Sequence, residues 1–159
     1  MSISIYLAGP LFTEAEREWM SRLKGRIEAL ALEIGVAVEA IWPWELFAEG
    51  EIAAMGCNAI DAIFARCKNA LDKVDLVVPL LDGPMVDDGT AWEIGYFYCL
   101  HADKSRIIGI RTDHRNGGEC DGARVNAMIQ GCCSRIASSA DELLALLRDI
   151  FLRLSEKTI

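Results

Sequence analysis

Residues 75–101 read DLVVPLLDGPMVDDGTAWEIGYFYCLH. An apolar run from Asp75 to Leu81 ends in a turn rich in Gly, Pro and Asp. A helix-like segment, Gly89 to His101, follows. This pattern is a buried strand whose carboxyl end feeds a helix N-terminus. Open parallel α/β sheets bind their ligands beyond the carboxyl ends of the strands. Asp87, Asp88 and Glu93 are therefore predicted to gather at a cleft, with Glu93 as its chemical centre. Pro79 cannot donate to a ladder, so it is predicted near the strand's end or at a bulge.

Working outward, strands and helices alternate. Ile3 to Ala8 is a first strand, broken by Gly9-Pro10. Thr13 with Glu16 forms a capping box for a helix to about Ile34, carrying Trp19, Leu23, Ile27 and Leu30 or Ala31 at helical spacing. Gly35 is its stop, and Val36 to Trp42 is a second strand. Pro43 to Met55 reads as broken helix. Asn58 is predicted to cap a helix through about Val74, with Ile60, Ile63, Phe64, Cys67 and Leu71 on its apolar face. Arg106 to Arg111 is a fourth strand. Residues 112–123 form a glycine-bearing loop, a candidate lid or inter-subunit segment. Arg124 to Gln130 is a short helix and Ser134 to Ala137 a fifth strand. Ser139 with Glu142 opens a last helix striped by Leu143, Leu146, Leu147, Ile150 and Leu154. The alternation predicts a flavodoxin-like, doubly wound sheet of five mainly parallel strands with helices on both faces.

The length of 159 residues fits a single domain, 1–159, with a sizeable core. A net charge of −8 argues against a nucleic-acid partner, which needs clustered Lys and Arg. His101 and His114 make no metal-ligand pattern. The six cysteines lack CxxC or zinc spacing. Most are predicted to be buried free thiols, which points to a reducing compartment. No signal peptide or membrane span is visible, so a cytoplasmic protein without a membrane partner is expected.

Three loops at strand carboxyl ends could carry chemistry. The first, Tyr6 to Phe12, lacks the glycine spacings that cradle phosphates. Its Tyr6 is either a core tyrosine with a locally satisfied hydroxyl or part of a site. In the second, two carboxylates six residues apart across a turn can face one pocket, which is the minimum equipment for glycosidic chemistry. The helix N-terminus is expected to keep Glu93 ionised. Asp88 is expected to cap that helix. In the third, Arg111, Asp113, His114, Arg115 and Asn116 read mostly as a solvated loop. Asn126 is either a ligand to a substrate or a helix-end hydrogen bonder, and the pattern slightly favours the second. Trp42, Trp44 and Phe47 either wall a pocket for a flat base or belong to the core.

Taken together, Tyr6-Leu7-Ala8-Gly9-Pro10-Leu11-Phe12, Asp75-Leu76-Val77-Val78, Asp87-Asp88-Gly89-Thr90-Ala91-Trp92-Glu93-Ile94-Gly95-Tyr96 and Asn126-Ala127-Met128-Ile129 resemble the nucleoside 2-deoxyribosyltransferase family. They occur in family order, and the D-x-G-T-x-x-E-x-G element is the most specific. The resemblance implies transfer of a 2-deoxyribosyl group between nucleobases, in nucleotide salvage, through a covalent glycosyl-glutamate. Glu93 would be the nucleophile, Tyr6 would position it, and Asp87 would contact the base and help deliver its proton. Gly9, Phe12 and Asp88 would bind substrate. Asn126 would reach a neighbouring subunit's pocket in a homodimer or larger homo-oligomer and hold the sugar 5′-hydroxyl. The partners would be a 2′-deoxynucleoside and a free nucleobase, with no cofactor and no metal.

One family position departs. Many members carry Asp or Asn where this chain has Cys67, with Asn69 two residues on, and Asp61 is a candidate substitute. The Gly-Pro-Leu-Phe loop suits an unphosphorylated 5′-hydroxyl. Two alternatives remain open. One is an N-glycosidase acting on deoxynucleosides or their 5′-monophosphates. The other is a non-catalytic nucleotide-binding domain.

Overall fold

The structure is a computed structural model and describes residues 2–156. Strand β1, Ile3–Ala8, runs between β2, Val38–Ile41, and β3, Leu76–Pro79, and pairs in parallel with both. A second parallel ladder joins β4, Ile108–Ile110, to β5, Arg135–Ala137. The two ladders, β2-β1-β3 and β4-β5, meet through isolated parallel bridges between Val77 and Ile107 and between Leu80 and Ile110. Pro79 is the last residue of β3, where the ring's missing N–H removes least.

Side chains alternate across β1, and that alternation positions the site. Ile5 and Leu7 enter a core with Met20, Leu23 and Ile27 of helix α1, Glu14–Ile34, and with Leu143, Leu147 and Phe151 of the last helix, Ala140–Glu156. Tyr6 and Ala8 face the other way. They join a second core with Leu71, Val77, Leu81, Ile94 and Phe97. Tyr6 is therefore aimed at the helices that follow β2 and β3.

The α1 cap forms as the sequence predicts. Glu16 N donates to Thr13 Oγ1 at 3.2 Å, and Thr13 N to Glu16 Oε2 at 2.7 Å. Gly35 ends the helix in the left-handed region, at φ 71°. The segment after β2 folds as a 3-10 turn, Pro43–Leu46, and a short helix α2, Glu51–Met55. Helix α3, Ala59–Leu71, differs from its sequence reading. Asn58 already has helical dihedrals and gives no side-chain cap, because a 3-10 turn, Gly56–Asn58, leads straight into the helix. The expected apolar face is covered only in part: Leu71 is buried and Ile63 and Cys67 are half-buried, but Ile60 is 79% exposed and Phe64 53%. Phe64 instead meets Trp92 edge-on, with ring centroids 5.4 Å apart. Helix α4 spans Asp88–His101, and a short helix α5 spans Ala127–Cys132.

Two other expectations are corrected. Only Cys133 is buried; Cys57, Cys99 and Cys120 are exposed, and Cys67 and Cys132 lie between. Cys57 lies in the 3-10 turn Gly56–Asn58 and Cys120 in the loop after β4, where little packs over them. Arg111, read as a solvated loop residue, is 2% exposed. It donates to the carbonyls of Leu81, Gly83 and Arg115, with Asp113 at 3.9 Å as its counter-charge. The Asp82 carboxylate accepts from Thr112 N at 2.6 Å and Asp113 N at 3.0 Å, and Asp113 accepts from Gly83 N at 3.1 Å. These bonds knit the loop after β3 to the loop after β4. They brace the turn that delivers Asp87.

Arg111→Met should therefore cost about 2–4 kcal/mol, because the carbonyls of Leu81, Gly83 and Arg115 lose their charged donor, while Asp113 keeps Arg115. Urea unfolding checks this: the midpoint should fall with the slope unchanged. An unaltered midpoint would show that water replaces the guanidinium.

Candidate active site

The Tyr6 hydroxyl donates to Glu93 Oε1 at 2.5 Å, bridging β1 and α4 across 87 positions of sequence. Tyr6 is fully buried, and burial together with the Glu93 charge and Cys67 pushes its ionisation far upward. It is thus a permanent donor. Glu93 lies in the second turn of α4, beyond the first turn, where the helix dipole acts most strongly. The expectation of a readily ionised Glu93 is corrected accordingly. Burial raises its pKa to about 7, the Tyr6 hydrogen bond opposes the rise, and the Asp87 charge adds to it.

Asp87 is the N-cap of α4, with extended dihedrals. Its Oδ2 accepts from both Thr90 N and Thr90 Oγ1 at 2.9 Å, and Thr90 is buried. The predicted cap at Asp88 is therefore displaced by one residue. Asp88 is exposed, takes Gly89 N on Oδ1 at 2.8 Å, and does not line the cleft.

The cleft has a volume of about 900 Å³. The β1–α1 loop contributes Gly9, Leu11 and Phe12. The segment after β2 contributes Trp44, Phe47, Glu49 and Ile52, and α3 contributes Ile63 and Cys67. The start of α4 contributes Asp87, Gly89, Thr90 and Glu93. Glu49, Asp87 and Glu93 make the lining acidic, and no Lys, Arg or His belongs to it. Gly9 sits tightly in place: a Cβ there would lie 3.3 Å from Leu80 Cβ. The tryptophans divide, with Trp42 in the core and Trp44 at the cleft, half exposed. A second, shallower groove of about 390 Å³ between α1 and the last helix has only surface ion pairs at its rim.

Other predicted residues lie elsewhere. Asn126 is exposed outside the cleft and caps α5, its Oδ1 accepting from Met128 N at 2.9 Å and its amide donating to Glu119. Residues 112–123 do not line the cleft, so they form no lid over it in this conformation. Asp61 and Asn69 are exposed and also outside it. The α3 wall thus presents Cys67, whose thiol is kept protonated chiefly by burial, with Tyr6 opposing and the Glu93 charge reinforcing. Sequence reasoning missed Glu49 and Ile52, because an irregular segment carries no periodicity to aim its side chains. Among the described residues, no cluster of His, Cys, Asp and Glu could hold a metal ion, and no helix is long and apolar enough to cross a membrane.

A buried carboxyl held by a tyrosine, beside a second carboxylate at strand ends in a parallel α/β fold, supplies the pair of groups that glycosidic-bond chemistry requires. The profile of the family described as nucleoside 2-deoxyribosyltransferase matches residues 5–128, and the chain belongs to that family. Its fold is similar to that of a conserved protein from Enterococcus faecalis V583, at 25% identity, with 94% of this chain and 99% of that one covered and a TM-score of 0.71. It is also similar to the 2-deoxyribosyltransferase of Bacillus psychrosaccharolyticus, at 20% identity, 89% and 90% coverage and a TM-score of 0.60. The 2-deoxyribosyltransferase of Leishmania mexicana aligns at 20% identity, 92% and 97% coverage and a TM-score of 0.64. No curated protein sequence matches the chain significantly.

The raised pKa of Glu93 has a consequence for stability. Between the ordinary glutamate pKa and about 7, the unfolded chain loses this proton before the folded one. Stability from this group is therefore complete at low pH and falls as pH rises through that window. Glu93→Gln should raise the melting temperature at pH 8 but not at pH 4, by the equivalent of about 2–3 kcal/mol. Thermal unfolding at both pH values checks this; equal shifts would show that Glu93 is not strained by ionisation.

Proposed function

We propose that the protein exchanges the nucleobase of a 2′-deoxynucleoside for a free base by a retaining double displacement through Glu93. The observation that carries this is the Tyr6–Glu93 hydrogen bond beside Asp87 in a cleft with aromatic walls. Tyr6 occupies Oε1, so Oε2 is the oxygen left to attack C1′. The C1′–N bond breaks, its electron pair goes to the base nitrogen, and a proton taken up from solvent and relayed through Asp87 or a nearby group reaches the departing base. A glycosyl ester forms on Glu93. The second base attacks C1′ from the vacated face and gives up its N–H proton by the same route, the ester bond breaks, and Glu93 is restored as a carboxylate. Two inversions give retention. A pKa near 7 suits this cycle, since the carboxylate is both formed and released close to neutrality.

The acidic lining, free of cationic side chains, supports an unphosphorylated nucleoside over a 5′-monophosphate. The cleft draws on β1, the segment after β2, α3 and α4, which supports reading 1–159 as one catalytic domain. The bridges between the two ladders likewise support one five-stranded, flavodoxin-like sheet. No group in this mechanism requires a cofactor.

Incubating the protein with deoxyinosine and adenine, followed by chromatography, tests the reading. Deoxyadenosine and hypoxanthine should appear, and Glu93→Ala should abolish both, a loss of at least about 10³-fold. Free deoxyribose instead would assign a hydrolase, and turnover of 5′-monophosphates alone would move the substrate to nucleotides. Tight base binding without turnover would leave a binding domain.

A homo-oligomer completes the proposal. Exposed rings cluster on α3 and α4, where Trp92 stacks on Tyr96 at 5.0 Å and meets Phe64. An apolar face of this kind marks an interaction surface. Asn126, spent as a cap within its own chain, would bind the sugar 5′-hydroxyl at a neighbour's cleft. Light scattering should give a dimer or larger species, and Asn126→Ala should raise KM roughly tenfold, the cost of about one hydrogen bond. A fully active monomer would remove Asn126 from the site.

A further inference from the structure

The cleft wall built from Phe12, Trp44 and Phe47 has two arginines behind it. Arg17, four residues into α1, donates from Nη1 to the carbonyls of Leu11 and Phe12, both at 3.0 Å. Its guanidinium carbon also lies 4.8 Å from the centroid of the Trp44 ring. Among the described residues Arg17 makes no ion pair. Its bonds therefore go to the wall. Arg66 of α3 does the same at the far end. It donates to Leu46 O at 2.9 Å, lies 4.6 Å from the Phe47 ring, and pairs with Glu51.

No backbone hydrogen bond joins the β1–α1 loop to the 3-10 turn Pro43–Leu46 among the described residues. Arg17 therefore links the two lips at the cleft itself, while Lys24 of α1 pairs with Glu45 of the same turn at 2.5 Å. A guanidinium suits the task. Its planar fork bonds carbonyls in its own plane while its face lies against an aromatic ring. We infer that Arg17 is a positioning residue that sets the slot between Phe12 and Trp44 for the flat nucleobase. It acts on base binding and not on bond breaking at Glu93. The inference rests on reading the cleft as a nucleobase site.

The test uses Arg17→Met and Arg17→Lys. Equilibrium dialysis gives Kd for adenine and thymine, the exchange assay gives KM and kcat, and circular dichroism gives the melting temperature. Arg17→Met should raise Kd and KM about five- to twentyfold with kcat within about twofold. Arg17→Lys, which keeps a carbonyl donor and loses the planar face, should fall between. In a double-mutant cycle, Arg17→Met should add little to Trp44→Leu, because both remove one arrangement.

Unchanged Kd and KM, a loss confined to kcat, or additive losses in the cycle would each overturn the inference. If Arg17→Met does not fold, Arg17→Lys and its own cycle with Trp44→Leu decide by the same criteria. A wild type that binds bases without exchanging them refutes the transferase reading, and the dialysis arm still decides on Arg17. A wild type that binds neither base overturns the inference.

Discussion

The hydrogen bond from Tyr6 to Glu93 is the constraint around which the cleft is arranged. It forces a strand and a helix far apart in sequence to agree on one position for a carboxyl group. Burying that group costs free energy when it is charged, and a single donated hydrogen bond offsets only part of the cost. The balance leaves Glu93 titrating near neutrality. A fully solvated glutamate would be ionised but weakly nucleophilic toward carbon. One buried without Tyr6 would stay protonated. The tyrosine holds the group between these extremes.

The remainder of the structure supports that contact from two sides. Alternation along β1 sends Tyr6 toward α4 while Ile5 and Leu7 anchor the strand in the opposite core. The Arg111, Asp82 and Asp113 bonds hold the loop after β3, and with it the start of α4. The aromatic wall is less firmly built. It rests on two arginines and a segment with positive-φ glycines at both ends of α2, Gly50 and Gly56.

Much of this is legible in the sequence. The strand-to-helix run at 75–101 discloses the α/β class, and the capping box at Thr13 and Glu16 announces α1 correctly. Glu93 and Asp87 can be singled out because their positions relative to a helix start follow from spacing. What stays hidden depends on contacts remote in sequence. Nothing in a local window shows that Arg111 turns inward to cap carbonyls of another loop, or that Phe64 lies against Trp92 and not in the core. The cap itself lies one residue from where the sequence places it. Asp87 and Asp88 are chemically alike, and only the backbone turn decides which of them leaves the helix. The ionisation of Glu93 escapes a sequence reading for the same kind of reason, since burial is a property of the fold.

That one-residue shift makes position 87 serve two masters. One oxygen of Asp87 closes the first turn of α4 through Thr90, and the residue also lines the cleft. The set of residues able to fill the position is correspondingly small. Ser, Thr and Asn end helices well but lack the carboxyl group that the proposed relay uses. Glu keeps the carboxyl group but reaches past the cap. Under the proposed exchange, variation that preserves the cap and variation that preserves the proton relay overlap at aspartate, so the helix end and the site would change together.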